Sequence, residues 1–140
     1  MRLTLAAVML LGATLAAQAE TSQWDAVYSV EQAKRGDALY SEHCAACHGP
    51  DLGGGEIAPA LAGGDFASTW NDLTLGDLFE RIRISMPQGN PGGVSRAQKA
   101  DILAFILAKG NYPAGAGELP SQTEVLRTIR FVASRPAANP

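Results

Sequence analysis

Beyond an opening apolar run, the hydrophobic positions of the chain fall into three stretches at helical spacing, separated by segments rich in glycine and proline. In the first stretch Ala33, Gly36 and Tyr40 recur at three- and four-residue intervals and share one helix face. Ser29 and Gln32 ahead of them form a capping-box start, with the Ser29 hydroxyl capping backbone N–H groups and Gln32 reaching back. The pattern predicts a helix of about 14 residues ending near His43. Gly36 inside it costs about 1 kcal/mol relative to Ala, so the position calls for close approach of another helix.

Thr74 and Asp77 repeat the start signal, and Leu75, Leu78, Phe79 and Ile82 follow at i, i+3, i+4 and i+7. This amphipathic helix must stop before Pro87. The third helix starts at Ser95 and Gln98, carries Ile102, Phe105 and Ile106 on one face, and ends with Lys109 and Gly110. Residues 49–74 hold six glycines without a sustained period, and "MPQGNPGGV" is similarly broken, so both read as loop. After Gly110 the chain is rich in Pro and Ala, with one short helix expected over 122–131. The period there is ambiguous, because "TIRFV" alternates equally well as a strand. The sum is an all-α chain with long loops, its last few residues expected to be disordered.

The first 19 residues stand apart from this pattern. Arg2, the apolar run Leu3–Ala17 and the small-x-small end Ala17-Gln18-Ala19 make a secretory signal peptide, with cleavage expected between Ala19 and Glu20. The run is about 15 residues, where a spanning helix needs roughly 20, so no stable membrane insertion is expected after cleavage. Without Arg2, 10 basic residues face 14 acidic ones, a formal net charge of −4, which argues against a nucleic-acid partner. Residues 20–140 suffice for one domain and not two. Export, to a periplasmic or extracellular location, would permit disulfides, but two cysteines are too few for a disulfide scaffold.

Both cysteines and both histidines of the chain lie in "HCAACHG", residues 43–49. On a helical turn Cys44, Cys47 and His48 share one face, and C-x-x-C-H is the attachment signature of c-type haem: two thioethers to the porphyrin and an imidazole to the iron. Three other readings compete. A thioredoxin-like dithiol needs a βαβ context, a structural zinc needs four ligands where only His43 remains, and an exported disulfide leaves His48 unexplained. His43 adjoins the turn and cannot reach the opposite face of a macrocycle, which leaves it a surface residue. A second axial ligand is then sought by counting: Met1 and Met9 leave with the signal peptide, so Met86 is the only methionine left, 38 residues after His48. A lone methionine is ordinarily core filler. This one sits between a helix end and Pro87, where a loop can fold over a cofactor.

Over roughly residues 29–110 the chain resembles the class I cytochromes c, small all-helical monohaem electron carriers. Gly36 and Tyr40 stand eight and four residues before Cys44, as on that family's N-terminal helix, and Ile102 and Phe105 resemble the partner pair on its C-terminal helix. The resemblance implies that these two helices cross nearly perpendicularly beside one covalent haem c. It implies His48 and Met86 as iron ligands, Cys44 and Cys47 as tethers, and the Pro59 carbonyl of "APAL" as acceptor of the His48 Nδ1–H. "SMPQGNPGG" is similar to the family's methionine loop, and Trp70 and Asn71 to groups that contact a haem propionate. The implied organisation is a signal peptide at 1–19, a cytochrome c domain at 20–112 and a partly disordered extension at 113–140. The implied function is that of a periplasmic electron carrier rather than an enzyme; a haem enzyme or gas-binding protein with an open sixth position is the alternative. More narrowly, "WDAVYSVEQAKRGDALYSEHCAACHGPDLGGG" and "GNYPAGAGELP" resemble cytochromes associated with PQQ-dependent alcohol dehydrogenases. That likeness implies a quinoprotein dehydrogenase as donor and a terminal oxidase beyond.

Overall fold

The computed structural model describes residues 20–137. The expected signal peptide and the terminal residues expected to be disordered, 138–140, lie outside the described residues.

Six α-helices follow in order: α1 Val30–His43, α2 Ala45–His48, α3 Gly64–Trp70, α4 Leu75–Ser85, α5 Arg96–Lys109 and α6 Thr123–Leu126, with 3-10 turns at Gln23–Asp25 and Pro91–Gly93. Among the described residues no strand forms, only three isolated bridges. The chain is all-α, as its periodicity predicts. The helix starts lie where the cap signals stand: Thr74 with Asp77 and Ser95 with Gln98 form reciprocal capping boxes. At α1 only half of the expected box exists. Ser29 Oγ accepts from the Gln32 N–H at 3.0 Å, but the Gln32 side chain turns to residue 119, donating to Leu119 O at 3.0 Å and accepting from Leu119 N at 2.7 Å. Buried, the amide finds two backbone partners there that a reach-back to Ser29 would leave unmet.

The expectation of loop throughout 49–74 is corrected at α3. This helix has only seven residues, begins at Gly63 without a side-chain cap, and buries Phe66 alone. It is held by tertiary contact: the Phe66 ring meets Phe131 edge-on at 6.0 Å and Trp70 at 6.3 Å. Two turns with one buried residue are too short to show a period.

α1 packs on α5 at Gly36, where any Cβ would collide with the backbone carbonyl of Asp101 and lie 2.9 Å from Phe105 Cβ. One turn on, Tyr40 and Phe105 rings meet at 5.2 Å. Arg35 flanks the crossing with two 3.0 Å bonds to Asp101 and a 2.9 Å bond to Glu118. α5 is buried along most of its length, and α4 adds Leu75, Leu78 and Phe79 to the same core.

Residues beyond 112 join this core. Leu119, Leu126, Ile129 and Phe131 are all buried. The ambiguous 122–131 segment divides: a single helical turn forms at α6, and Arg130 then bridges to both Ser22 and Thr74. Gln23, fully buried, donates to Val132 O at 2.6 Å and accepts from Val132 N at 2.9 Å. Gln23 and Gln32 thus give the C-terminal segment the backbone pairing that a neighbouring strand would otherwise supply.

Candidate functional site

The chain leaves α1 at Cys44 and re-enters helix for one turn. The Cys47 and His48 N–H groups both donate to Cys44 O, at 3.2 and 3.0 Å, so residues 44–48 form a closed turn from which Cys44, Cys47 and His48 project at i, i+3 and i+4. Tyr40 Oη donates to Gly49 O at 2.7 Å and ties this turn back to α1. The two cysteines are unbridged, Cys44 half-buried and Cys47 exposed. Burial, with the neighbouring Cys47, pushes the Cys44 thiol up to about 11, against the opposing influence of the Lys99 charge. A reactive redox dithiol has the opposite character, a lowered thiol pKa. Among the described residues no group of three or more His, Cys, Asp or Glu side chains is placed to hold a metal ion.

His48 is buried, and its Nδ1 lies 2.8 Å from Pro59 O. That carbonyl is delivered by a tight excursion of the chain. Gly54 N–H donates to His48 O at 2.8 Å, Gly55 N–H to Ala58 O at 2.9 Å, and Leu61 N–H to Leu52 O at 2.8 Å. Gly54 permits the fold-back with φ +75° and no Cβ: one there would lie 2.7 Å from the Pro59 carbonyl carbon. With Nδ1 directed to a carbonyl, Nε2 is the ring nitrogen free to ligate.

Met86 caps the C-terminal end of α4, half-buried, with its N–H on Ile82 O at 3.0 Å. It belongs to a different element from the cysteine turn. The Met86 segment is tied to α5 by a residue not singled out by the sequence reading, Lys99. Its ammonium donates to Arg83 O at 3.0 Å and Pro91 O at 2.6 Å, on either side of Met86, and its charge also acts on Cys44. A signal was available, since Lys99, Ile102, Leu103 and Ile106 form one i, i+3, i+4, i+7 stripe in which a lysine is out of place.

Trp70 is half-buried beside Phe66 at the end of α3. Asn71 is exposed; its side chain donates to Asp72 and accepts from Ala133 N at 2.8 Å. His43 is half-buried rather than fully on the surface, its ring 3.7 Å from the Glu42 carboxylate. No helix among the described residues is long and apolar enough to cross a membrane.

The donor set fits a covalently held haem: two unpaired thiols and an oriented imidazole on one turn, with a thioether on a tethered loop. Comparison with known proteins points the same way. Residues 31–106 match the family described as cytochrome C oxidase, cbb3-type, subunit III. The chain is also similar to a thiosulfate dehydrogenase of Stutzerimonas stutzeri (strain A1501), 32% identical over 80 residues that span 51% of this chain and 25% of that relative. The chain therefore covers only a quarter of the length of the curated relative it matches.

Proposed function

Because the chain belongs to the cytochrome c family, whose members carry a covalent c-type haem for electron transfer, we propose that it is a periplasmic one-electron carrier. In this reading Cys44 and Cys47 tether the haem through thioethers, and His48 and Met86 ligate its iron. The observation that carries the assignment is the 2.8 Å approach of His48 Nδ1 to Pro59 O on the turn bearing both free cysteines.

When bound, the haem supplies an Fe(III)/Fe(II) couple, which the soft methionine sulfur biases toward Fe(II). The chain's own residues determine how that couple is held. Pro59 O accepts the Nδ1–H, which fixes the tautomer and ring orientation of His48 and strengthens Nε2 as a donor. Leu78, Phe79 and Leu103 are buried members of the core that α4 and α5 build together. Trp70 and Asn71, at the end of α3, are assigned to the propionate edge on the resemblance alone. Export rests on the signal-like residues 1–19.

The assignment is tested on protein made with haem-maturation machinery. Mass spectrometry should show one covalent haem, lost in the Cys44→Ala/Cys47→Ala variant. A sulfur-to-ferric-iron absorption band should be present in the native protein and absent in Met86→Ala. Rapid carbon monoxide binding at neutral pH would sink the carrier reading in favour of an open sixth position. The donor proposed is a PQQ-dependent dehydrogenase, supported by the loop and tail resemblance. Fast, saturable reduction by such an enzyme is expected, with thiosulfate and its dehydrogenase as the rival donor system. No reduction by the quinoprotein removes that partner.

A further inference from the structure

Lys99 is a buried charge that the electron-carrier reading does not use. It is 2% exposed, on a face of α5 otherwise made of Ile102, Leu103 and Ile106. Burial, and the like charge of Arg83, push its ammonium below the ordinary lysine range, so the site pays a cost to keep it. Burying a charge is tolerated when its protons are taken by good acceptors, and the acceptors identify its task.

The first acceptor is Arg83 O, at 3.0 Å. In a continuing helix this carbonyl would receive the N–H of the residue four positions on. That residue is Pro87, which has none. The proline that ends α4 just after Met86 therefore orphans a buried-side carbonyl, and Lys99 reaches from another helix to satisfy it. The second acceptor is Pro91 O, at 2.6 Å, where the following 3-10 turn begins. One ammonium closes the segment from residue 83 to residue 91 at both ends. Met86 N–H on Ile82 O, just before it, and Asn90 N–H on Pro87 O, inside it, leave the loop a defined path.

We propose that Lys99 is a positioning residue for the iron site: by tying Arg83 O to Pro91 O it holds the loop so that Met86 keeps its place on the metal against competing ligands. The inference rests on Met86 being the axial ligand. A loop fixed at both ends presents its sulfur at a high effective concentration; released, the same loop competes less well. Lysine suits the position because a single compact ammonium offers three donors that can diverge to two carbonyls.

The test is competition at the ferric haem of the intact holoprotein by exogenous imidazole, which must displace Met86 to bind. In Lys99→Met the apparent Kd for imidazole should fall at least about tenfold, the loss of one charged hydrogen-bonded tie. Lys99→Arg, which keeps charge and donors, should stay within about threefold of the native value. Met86→Ala separates the two layers: it should bind imidazole more tightly than any Lys99 variant. If Met86→Ala equals the native protein, the ligand assignment itself fails. If Met86→Ala binds tightly while Lys99→Met equals the native protein, the ligand assignment stands and the proposal is overturned. Should Lys99→Met yield no holoprotein, Lys99→Gln, which keeps one donor group, carries the test by the same rule. A merely structural lysine would lower the unfolding midpoint and leave imidazole affinity and the sulfur-to-iron band under native conditions unchanged.

Discussion

Replacing Gly36 by alanine sets two physical effects against each other. In an isolated helix Gly→Ala stabilises by about 1 kcal/mol. At the α1–α5 crossing, however, the new Cβ would collide with the Asp101 carbonyl and lie 2.9 Å from Phe105 Cβ. Asp101 contributes backbone there, which cannot swing aside as a flexible side chain would. Relief requires moving α5 off α1, and the movement loosens the Tyr40–Phe105 ring contact at 5.2 Å and the paired Arg35–Asp101 bonds at 3.0 Å. Overpacking a core costs about 1–3 kcal/mol, and with backbone as the obstacle the upper end applies. Less the propensity gain, Gly36→Ala should destabilise by about 2 kcal/mol. Denaturant unfolding of the holoprotein measures this directly. Ala38→Gly, on the exposed face of the same helix, is the control and should cost about 1 kcal/mol by propensity alone. A Gly36→Ala protein as stable as the native one, or more so, refutes the close-approach argument.

Glu80 is bonded by Arg83 Nε at 2.9 Å and Thr123 Oγ1 at 3.1 Å, and the Arg83 bond leads in lowering its carboxyl from an ordinary 4.5 to about 2. A folded-state value below the unfolded one gives stability that is present above pH 4.5 and lost as pH falls toward 2. The midpoint difference between native protein and Glu80→Gln should therefore be seen at neutral pH and vanish near the acid end; a pH-independent gap would disprove it. Phe131, fully buried against Phe66 and Tyr112, should cost about 3–5 kcal/mol as Phe131→Ala, measured by urea titration. A cost under about 1 kcal/mol would mean the C-terminal segment is not part of the core. Gly54→Ala, strained at φ +75° and crowding Pro59, should weaken the carbonyl's hold on His48, lower the imidazole's donor strength and raise the reduction potential. An unchanged potential in a potentiometric titration would separate the Gly54 turn from the tuning of the ligand.

Sequence alone determined what depends on neighbours a few positions apart. The starts of α1, α4 and α5 follow from cap residues and the apolar period, both local properties of the backbone. The concentration of Cys and His at 44–48 was equally legible, because C-x-x-C-H is a pattern of fixed spacing along one turn, and elimination singled out Met86 as the expected second ligand. Tertiary structure alone decided the partners that are distant in sequence. Gln32 has a perfect local use as a capping-box residue and yet bonds Leu119, because burial makes both backbone groups there demand a partner. α3 is helical for the sake of Phe66 and the ring of Phe131, 65 positions away. The segment after Gly110, which read as an appendage, carries buried residues that close the core. Lys99 is the clearest case: the stripe shows that a charge is misplaced, but only the fold shows that Pro87 leaves the Arg83 carbonyl open for it. A side chain's chemistry is written in its identity, whereas the group it answers is chosen by which parts of the chain burial brings together.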